Sequence, residues 1–496
     1  MAIQLKRDGF EDVVVLERGD DVGGTWRDNT YPGAACDVPS NLYSFSFAPN
    51  PRWSRSFPSQ QEILDYLRGC AHRFGVWEQI RFGHDVRSAR WDEGAGRWRV
   101  TTSRGRFSAR FVIAGMGPLA EPSIPELPGL EDFKGAAWHS ARWDHSYDLA
   151  GKNVAVIGTG ASAIQLIPEI QPKVAALYVL QRTPPWVLGR RDRAFTSTEH
   201  RLFATAPAAQ LAVRAATYWA REGFFVGFRR MPALIKAAEK VALRQLRAQV
   251  RDPELRAKLT PSYALGCKRV LLSDEYYPAL VHGNVEVVAD PVAAVRPHSV
   301  AFADGTERRV DAIVFATGFK ATDPPQAGMM WGRRGQSLAD VWKHGMSAYK
   351  GTAISGFPNL FTLVGPNTGL GHNSMVYMIE SQVAYVAAAL RHMRSEGLGV
   401  AEVRPGAEDR WNDRVQRDMS STVWMTGGCA SWYLDARGRN TTLWPGFSFQ
   451  FRRATRHFDP DDYWLSPAPR VPPRRGGSRP TPRREPDPVL AGQNVS

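Results

Sequence analysis

Asn153-Val-Ala-Val-Ile-Gly158-Thr-Gly160-Ala161-Ser162-Ala163-Ile-Gln-Leu-Ile-Pro-Glu-Ile170 passes from an apolar β pattern through two glycines into a helical pattern. The spacing predicts a strand, NVAVIG, followed by a helix, ASAIQLIPEI. Gly158, Gly160 and Ala163 form G-x-G-x-x-A between them, and this strand-to-helix context turns a glycine pattern into a pyrophosphate site. Gly158 makes the tight turn, Gly160 lets backbone approach phosphate, and Ala163 lets the helix pack on the strand. Ala161 and Ser162 open the helix, where free N–H groups and the positive dipole end favour an anion. The following strand, ALYVLQR, ends at Arg182, where an NAD-binding unit would carry an acid for the ribose hydroxyls. Arg182 and Thr183 suit a 2′-phosphate instead, so NADPH is expected over NADH.

Outward from this unit the chain reads as a split architecture. Its start, MAIQLKRDG, is helix-like, and the apolar run Val13 to Leu16 closes on Glu17. This is the second half of another βαβ unit, with Glu17 either its ribose-binding acid or an ordinary surface acid. Such an acid follows its glycine motif by about 20 residues, which sets the expected motif just upstream of Met1. PLAEPSIPELPG, from Pro118 to Gly129, holds too many prolines for helix or central strand and reads as a connector. From about Asp192 to Thr260 the pattern is helical, after which strand signals return at VEVVA, VAFAD and DAIVFATGF. The fold class expected is α/β, with two dinucleotide-binding, Rossmann-like domains, the second inserted in the first. Residues 1–120 and 326–465 make the first domain, without its glycine loop; 121–191 and 263–325 make the second; 192–262 form a helical insertion. The Pro/Arg-rich stretch 466–496 cannot bury apolar surface and is expected to be a disordered tail.

Composition fits this architecture. The chain has 496 residues, 43% of them hydrophobic, enough for two or three buried cores. The formal net charge of +14 is spread along the sequence, and six Arg against Glu485 and Asp487 place part of it in the tail. A nucleic-acid partner is not expected, since a phosphate-bearing cofactor explains a basic interior equally well. Cys36, Cys70, Cys267 and Cys429 are far apart and form no CxxC pair. They signal no metal and no redox dithiol, and a reduced, cytoplasmic setting fits them. The most apolar stretch, Ala204 to Phe228, is interrupted by Arg214, Arg221 and Glu222. It reads as an amphipathic helix, with contact to a membrane surface the lesser reading and no membrane partner expected.

Two long patterns carry a resemblance. Phe133-Lys-Gly135-Ala-Ala-Trp-His139-Ser-Ala-Arg-Trp143-Asp144 matches F-x-G-x-x-x-H-x-x-x-W-[PD], and Gly23-Gly24-Thr25-Trp26-Arg-Asp-Asn-Thr-Tyr31-Pro-Gly33-Ala-Ala-Cys-Asp37 matches [AG]-G-x-W-x-x-x-x-[FY]-P-[GM]-x-x-x-D. Both are fingerprints of the Baeyer-Villiger monooxygenases, which this chain resembles from residue 1 to about 460. The resemblance implies FAD and NADPH as cofactors, dioxygen as co-substrate, and a small ketone or sulfide as substrate. In GCKRVLL it implies Lys268 as a second ligand of the 2′-phosphate and Arg269 as the active-site arginine, with Asp37 its acid. Gly23, Gly24, Thr25, Trp26 and Tyr31 would lie along the flavin, and Thr317 and Gly318 of VFATGF near a cofactor. Phe133, Gly135, His139, Trp143 and Asp144 would serve the interdomain connection more than bond-making.

The chemistry agrees with these assignments. Oxygen transfer to a carbonyl carbon passes through an anionic adduct, so the site must stabilise negative charge and exclude water. A guanidinium does the first because it cannot lose its proton, and a neighbouring carboxylate keeps it oriented. The alternatives are an N- or S-oxygenating flavin monooxygenase of the dimethylaniline type, against which Trp143-Asp144 argues, and a flavin-poor remnant without activity.

Overall fold

The computed structural model describes residues 1–230 and 232–469, so the expected tail lies outside the described residues from 470 onward. The strand-turn-helix reading of the glycine segment is met, with strand β2 (Asn153–Ile157) stopping one residue short of the expected NVAVIG and helix α1 (Ala161–Ile170) beginning after Gly160. With β1 (Ala136–His139), β3 (Ala176–Leu180), β4 (Val285–Val288) and β5 (Ala312–Phe315) it builds a five-stranded, all-parallel sheet in the order β4-β3-β2-β5-β1. Every residue of β5 is buried, as a central parallel strand covered on both faces requires. Val154, Val156, Leu166, Ile167 and Leu177 are buried together where α1 packs on the sheet. Gly158 is obligatory at the turn: it sits at φ 105°, and a Cβ there would lie 2.5 Å from the Ala316 carbonyl oxygen.

The second unit is assembled from distant pieces of chain. Strand Val112–Ala114 pairs in parallel with Leu360–Thr362, and Val15–Leu16 with Ile80–Arg81. An antiparallel ladder of Val86–Asp92, Arg97–Thr102 and Gly105–Ala109 completes its far side. Helix Met375–Ser395 is capped by the Ser374 hydroxyl and buries Met378, Tyr385, Val386 and Leu390 in the core of this unit. Strand Tyr463–Pro467 pairs with Leu398–Val403, so regular structure runs past residue 465, where the tail was expected to begin.

Four helices occupy the stretch read as helical: Ser197–Thr205, α2 (Pro207–Arg230), α3 (Pro232–Gln249) and Pro253–Lys258. The first is closed by a capping box of Thr196 and Glu199, and the last by Asp252 followed by Pro253. None of the described helices is long and apolar enough to cross a membrane. The cysteines correct the sequence reading: Cys267 and Cys429, 162 residues apart, are joined as a disulfide, while Cys36 and Cys70 are free and buried. Sequence spacing hides this pair because only the tertiary fold brings the loop before Arg269 against the loop after Trp424.

Candidate active site

Arg269 and Asp37, 232 residues apart, meet in a two-pronged ion pair: the Arg269 Nε donates to Asp37 Oδ2 at 2.7 Å and an Nη donates to Oδ1 at 2.6 Å. Burial alone would raise the Asp37 carboxyl, but the charge and hydrogen bonds of Arg269 hold it below the usual carboxylate range. The charge of Asp37 in turn drives the Arg269 guanidinium pKa up against the effect of burial. The two side chains retain 32% and 24% exposure. The pair is deeply set yet keeps part of its surface accessible.

A third charged group belongs to this centre and was not read from the sequence as part of it. Arg221 of α2 donates to the Asp37 carbonyl at 3.2 Å, and burial lowers its pKa. Its neighbour Glu222 turns to the other side, accepting from Asn373 at 2.6 Å and from the Ser448 hydroxyl at 2.5 Å, with His372 Nε2 at 3.5 Å. Burial would raise Glu222, yet its bonds to His372, Ser448 and Asn373 hold it below the usual range. Two of the three positions that interrupted the apolar run in the sequence thus fasten the insertion, Arg221 to the centre and Glu222 to the segments at 373 and 448. Tyr433 also lies here: it is 1% exposed, its phenol oxygen has no hydrogen-bond partner among the described residues, and its proximity to Arg269 adds to that residue's raised pKa.

At the glycine turn, a Cβ on Gly160 would meet nothing within 4 Å, so the N-terminus of α1 opens onto free space. Ala163 is fully buried beneath it. The Thr159 hydroxyl donates to the Thr183 carbonyl at 3.2 Å, tying the turn to the end of β3. Arg182 is exposed just before Thr183. Lys268, whose ammonium lies 5.1 Å over the Tyr263 ring, is depressed first by burial and then by the charge of Arg182. Two cations from distant segments thus face one place beside a helix N-terminus, an arrangement that suits a phosphate.

On the other side, Gly23 and Gly24 take φ values of 107° and 50° and lead into a short helix, Thr25–Asp28. Trp26 donates from its indole to the Tyr43 hydroxyl at 3.0 Å. Glu17 accepts from Gly19 N at 2.7 Å and from Arg27 at 2.8 Å. A cleft of about 480 Å³ runs between Arg18–Asn29, the connector at Leu119–Pro122, and Ala141, Arg142 and Phe319. A second set of buried polar atoms lacks partners where the loop around Asn367 meets residues 440–442: Asn367 Oδ1, Asn440 Nδ2, Thr441 Oγ1 and Thr442 Oγ1. Buried groups of this kind are normally paired, so the seam has unused capacity for a polar ligand, and the Arg18–Asn29 cleft has room for part of a nucleotide such as FAD.

Other expected positions serve elsewhere. Tyr31, expected along the cofactor, donates to Gln165 Oε1 of α1 at 2.8 Å, and burial pushes its phenol up to about 12. Gly33 backs on to the same helix, where a Cβ would come within 2.6 Å of the Gln165 carbonyl oxygen. The segment Tyr31-Pro-Gly33 is thus a dock between the two units, and it needs glycine for backbone-to-backbone approach. Thr317 donates to the Ser123 carbonyl at 2.5 Å, and Ser123 N donates to the Gly318 carbonyl at 2.8 Å, which ties the end of β5 to the connector. His139, 2% exposed at the end of β1, accepts from Ala141 N through Nδ1, and its Nε2 has no partner among the described residues. Phe133 packs into the core beside Val295, and Gly135 passes so close to the Asp311 carbonyl that no Cβ fits. Trp143 stacks edge-on against Trp138, and Asp144 accepts from Ser146, a local turn rather than a ligand contact.

Against known proteins, residues 5–205 match the family described as flavin-binding monooxygenase-like. The chain is 52% identical to a Baeyer-Villiger monooxygenase of Streptomyces coelicolor over 94% of its own length and 91% of the relative's. It is 49% identical to a protein of the same name from Pseudomonas aeruginosa, over 95% and 89%. Among solved structures, the OTEMO complex with FAD and NADP superimposes with a TM-score of 0.84 at 28% identity, covering 94% of this chain and 96% of the other.

Proposed function

From the premise that the chain belongs to the Baeyer-Villiger monooxygenases, we propose that Arg269, held by Asp37, is the cation at its reaction centre. The protein is an FAD- and NADPH-dependent monooxygenase that inserts one atom of dioxygen beside a ketone carbonyl to give an ester or lactone. The Arg18–Asn29 cleft would hold FAD, which, once reduced at the expense of NADPH, would supply the oxygen-activating chemistry. The remaining work belongs to the chain's own residues.

The bidentate pair with Asp37 fixes the guanidinium plane before substrate arrives, so no reorganisation is needed as negative charge develops on the substrate oxygen. Because the Asp37 carboxyl lies below its usual range, the pair is complete above the ordinary carboxylate pKa and is lost only as pH falls through the depressed value. Arg221 closes the insertion over the centre from the Asp37 side and helps exclude water. Lys268 and Arg182 hold the 2′-phosphate of NADPH, and the open N-terminus of α1 holds its pyrophosphate. Glu17, Gly23, Gly24, Thr25 and Trp26 border the FAD site.

The observation that carries this reading is the convergence of Arg269 and Asp37, both partly accessible, beside Arg221. Arg269→Ala in flavin-replete protein is expected to keep oxidising NADPH while releasing hydrogen peroxide in place of ester, with ester yield down by about 100-fold or more. Product analysis by gas chromatography beside a peroxide assay measures both. An ester yield equal to the parent's would remove Arg269 from the mechanism.

A further inference from the structure

Helix α2 has two unlike faces. Its inner face is polar and fully engaged: Gln210 donates to Asn41 at 2.8 Å, Arg214 to the carbonyls of Asn41 and Ser44 at 2.9 Å, and Arg221 to that of Asp37. Its outer face is the reverse. From Ala208 to Phe224 every fully exposed position is Ala, Gly, Leu, Val, Trp or Phe, with Leu211 46%, Trp219 60% and Phe224 62% exposed. Seventeen residues of helix make a stripe about 25 Å long. Scattered surface apolar residues need no explanation, whereas a contiguous stripe marks a contact.

The charge around the stripe selects the contact. Helix α3, packed against α2, adds Leu234 and Val241 to the exposed apolar surface and carries exposed Lys236, Lys240 and Arg244 beside them. Residues 201–249 hold nine Lys and Arg against two acids, Glu222 and Glu239. Both acids point inward, Glu222 to Ser448 and Glu239 to the Leu265 amide at 2.9 Å. The two helices therefore present apolar groups and cations with no outward carboxylate of their own; the Asp418 carboxylate on a neighbouring helix pairs with Arg229 at 2.7 Å. A second copy of the chain would bring two cationic rims together, which costs energy. Anionic lipid headgroups supply the opposite charge, and the acyl region takes Trp, Phe and Leu.

We propose that the outer face of the α2–α3 pair docks on an anionic bilayer surface, lying along it and not across it. The same helix that rests on lipid holds Arg221 against Asp37, so a lipophilic ketone partitioned in the bilayer is delivered to the reaction centre on the other side. The delivery step rests on the reading of Arg269 given above; the docking step does not. This takes up the lesser sequence reading, contact with a membrane surface by an amphipathic helix whose charged interruptions are Arg214, Arg221 and Glu222. All three turn away from the outer face.

The test is co-sedimentation of the full-length protein with vesicles of phosphatidylglycerol and phosphatidylcholine, beside vesicles of phosphatidylcholine alone. Binding is expected to the anionic vesicles and to weaken with salt. Trp219→Glu combined with Phe224→Glu should abolish it while NADPH-dependent turnover of a water-soluble ketone is unchanged, which shows that the variant is folded. Lys236→Gln and Lys240→Gln should each weaken it about fivefold. Failure of the parent to sediment with anionic vesicles, or undiminished binding by the Trp219→Glu, Phe224→Glu variant, would overturn the proposal. So would a concentration-dependent dimer that this variant dissociates, which would give the face to a second copy. Vesicle binding by a chain that makes no ester supports the dock and overturns the reaction-centre reading alone.

Discussion

At the residue scale, the site depends on charges whose partners are supplied at different stages. Arg269 has its partner in the folded chain, whereas Lys268 feels the charge of Arg182 and neither is paired to a carboxylate among the described residues. Two such cations beside each other raise the energy of the empty site, and an arriving phosphate relieves it. Arg182→Ala is expected to raise the KM for NADPH by roughly 10-fold or more and to change the KM for NADH little. Steady-state kinetics with both nucleotides checks this, and an equal effect on the two would deny a 2′-phosphate role. The depressed pKa of Lys268 adds a pH dependence. The ammonium is charged below its lowered pKa and neutral above it, so the KM for NADPH should climb on the alkaline side sooner than an ordinary lysine would cause. Lys268→Arg should flatten that rise, because a guanidinium keeps its proton throughout.

At the scale of elements, the Cys267–Cys429 disulfide joins the segment carrying Lys268 and Arg269 to the segment carrying Trp432 and Tyr433. Gly427 lies directly against it, since a Cβ there would fall 2.6 Å from the Cys267 Cβ, and its carbonyl accepts from Ala264 N. The bond closes a loop of 162 residues that contains β4, β5 and the helix Met375–Ser395. Cys429→Ser is expected to destabilise the protein by about 2–4 kcal/mol, on the chain-entropy account of such cross-links. Thermal unfolding with and without reductant measures it, and identical melting temperatures under both conditions would show that the cross-link does not hold this region. Helix α2 is the other decisive element. One residue step along it, from Arg221 to Glu222, reaches two separate parts of the molecule, Asp37 on one side and the 372–374 and 448 segments on the other.

At the scale of the whole molecule, the two nucleotide units meet through Tyr31, Gly33 and Gln165. Gly33 is at φ 79° with the α1 backbone against it, so Gly33→Ala combines an unfavourable backbone conformation with a collision that no side chain can relieve. Urea denaturation should show a loss of roughly 1–3 kcal/mol, and a variant as stable as the parent would mean that the dock has slack. The sequence by itself determined the nucleotide unit built on β2 and α1, because NVAVIG, the glycine turn and ASAIQLIPEI are local signals whose periods and turn chemistry survive in any context. It also supplied the members of the site one by one: Arg269, Asp37, Lys268 and Arg182 each stand in a motif. That Asp37 grips Arg269, that Cys267 finds Cys429, that Tyr31 is committed to a helix, and that the polar positions of α2 turn inward were decided by tertiary structure alone. These are relations between residues 130 to 232 positions apart, and periodicity or spacing along a chain carries no information about which distant side chains the closing of the sheets will bring into contact.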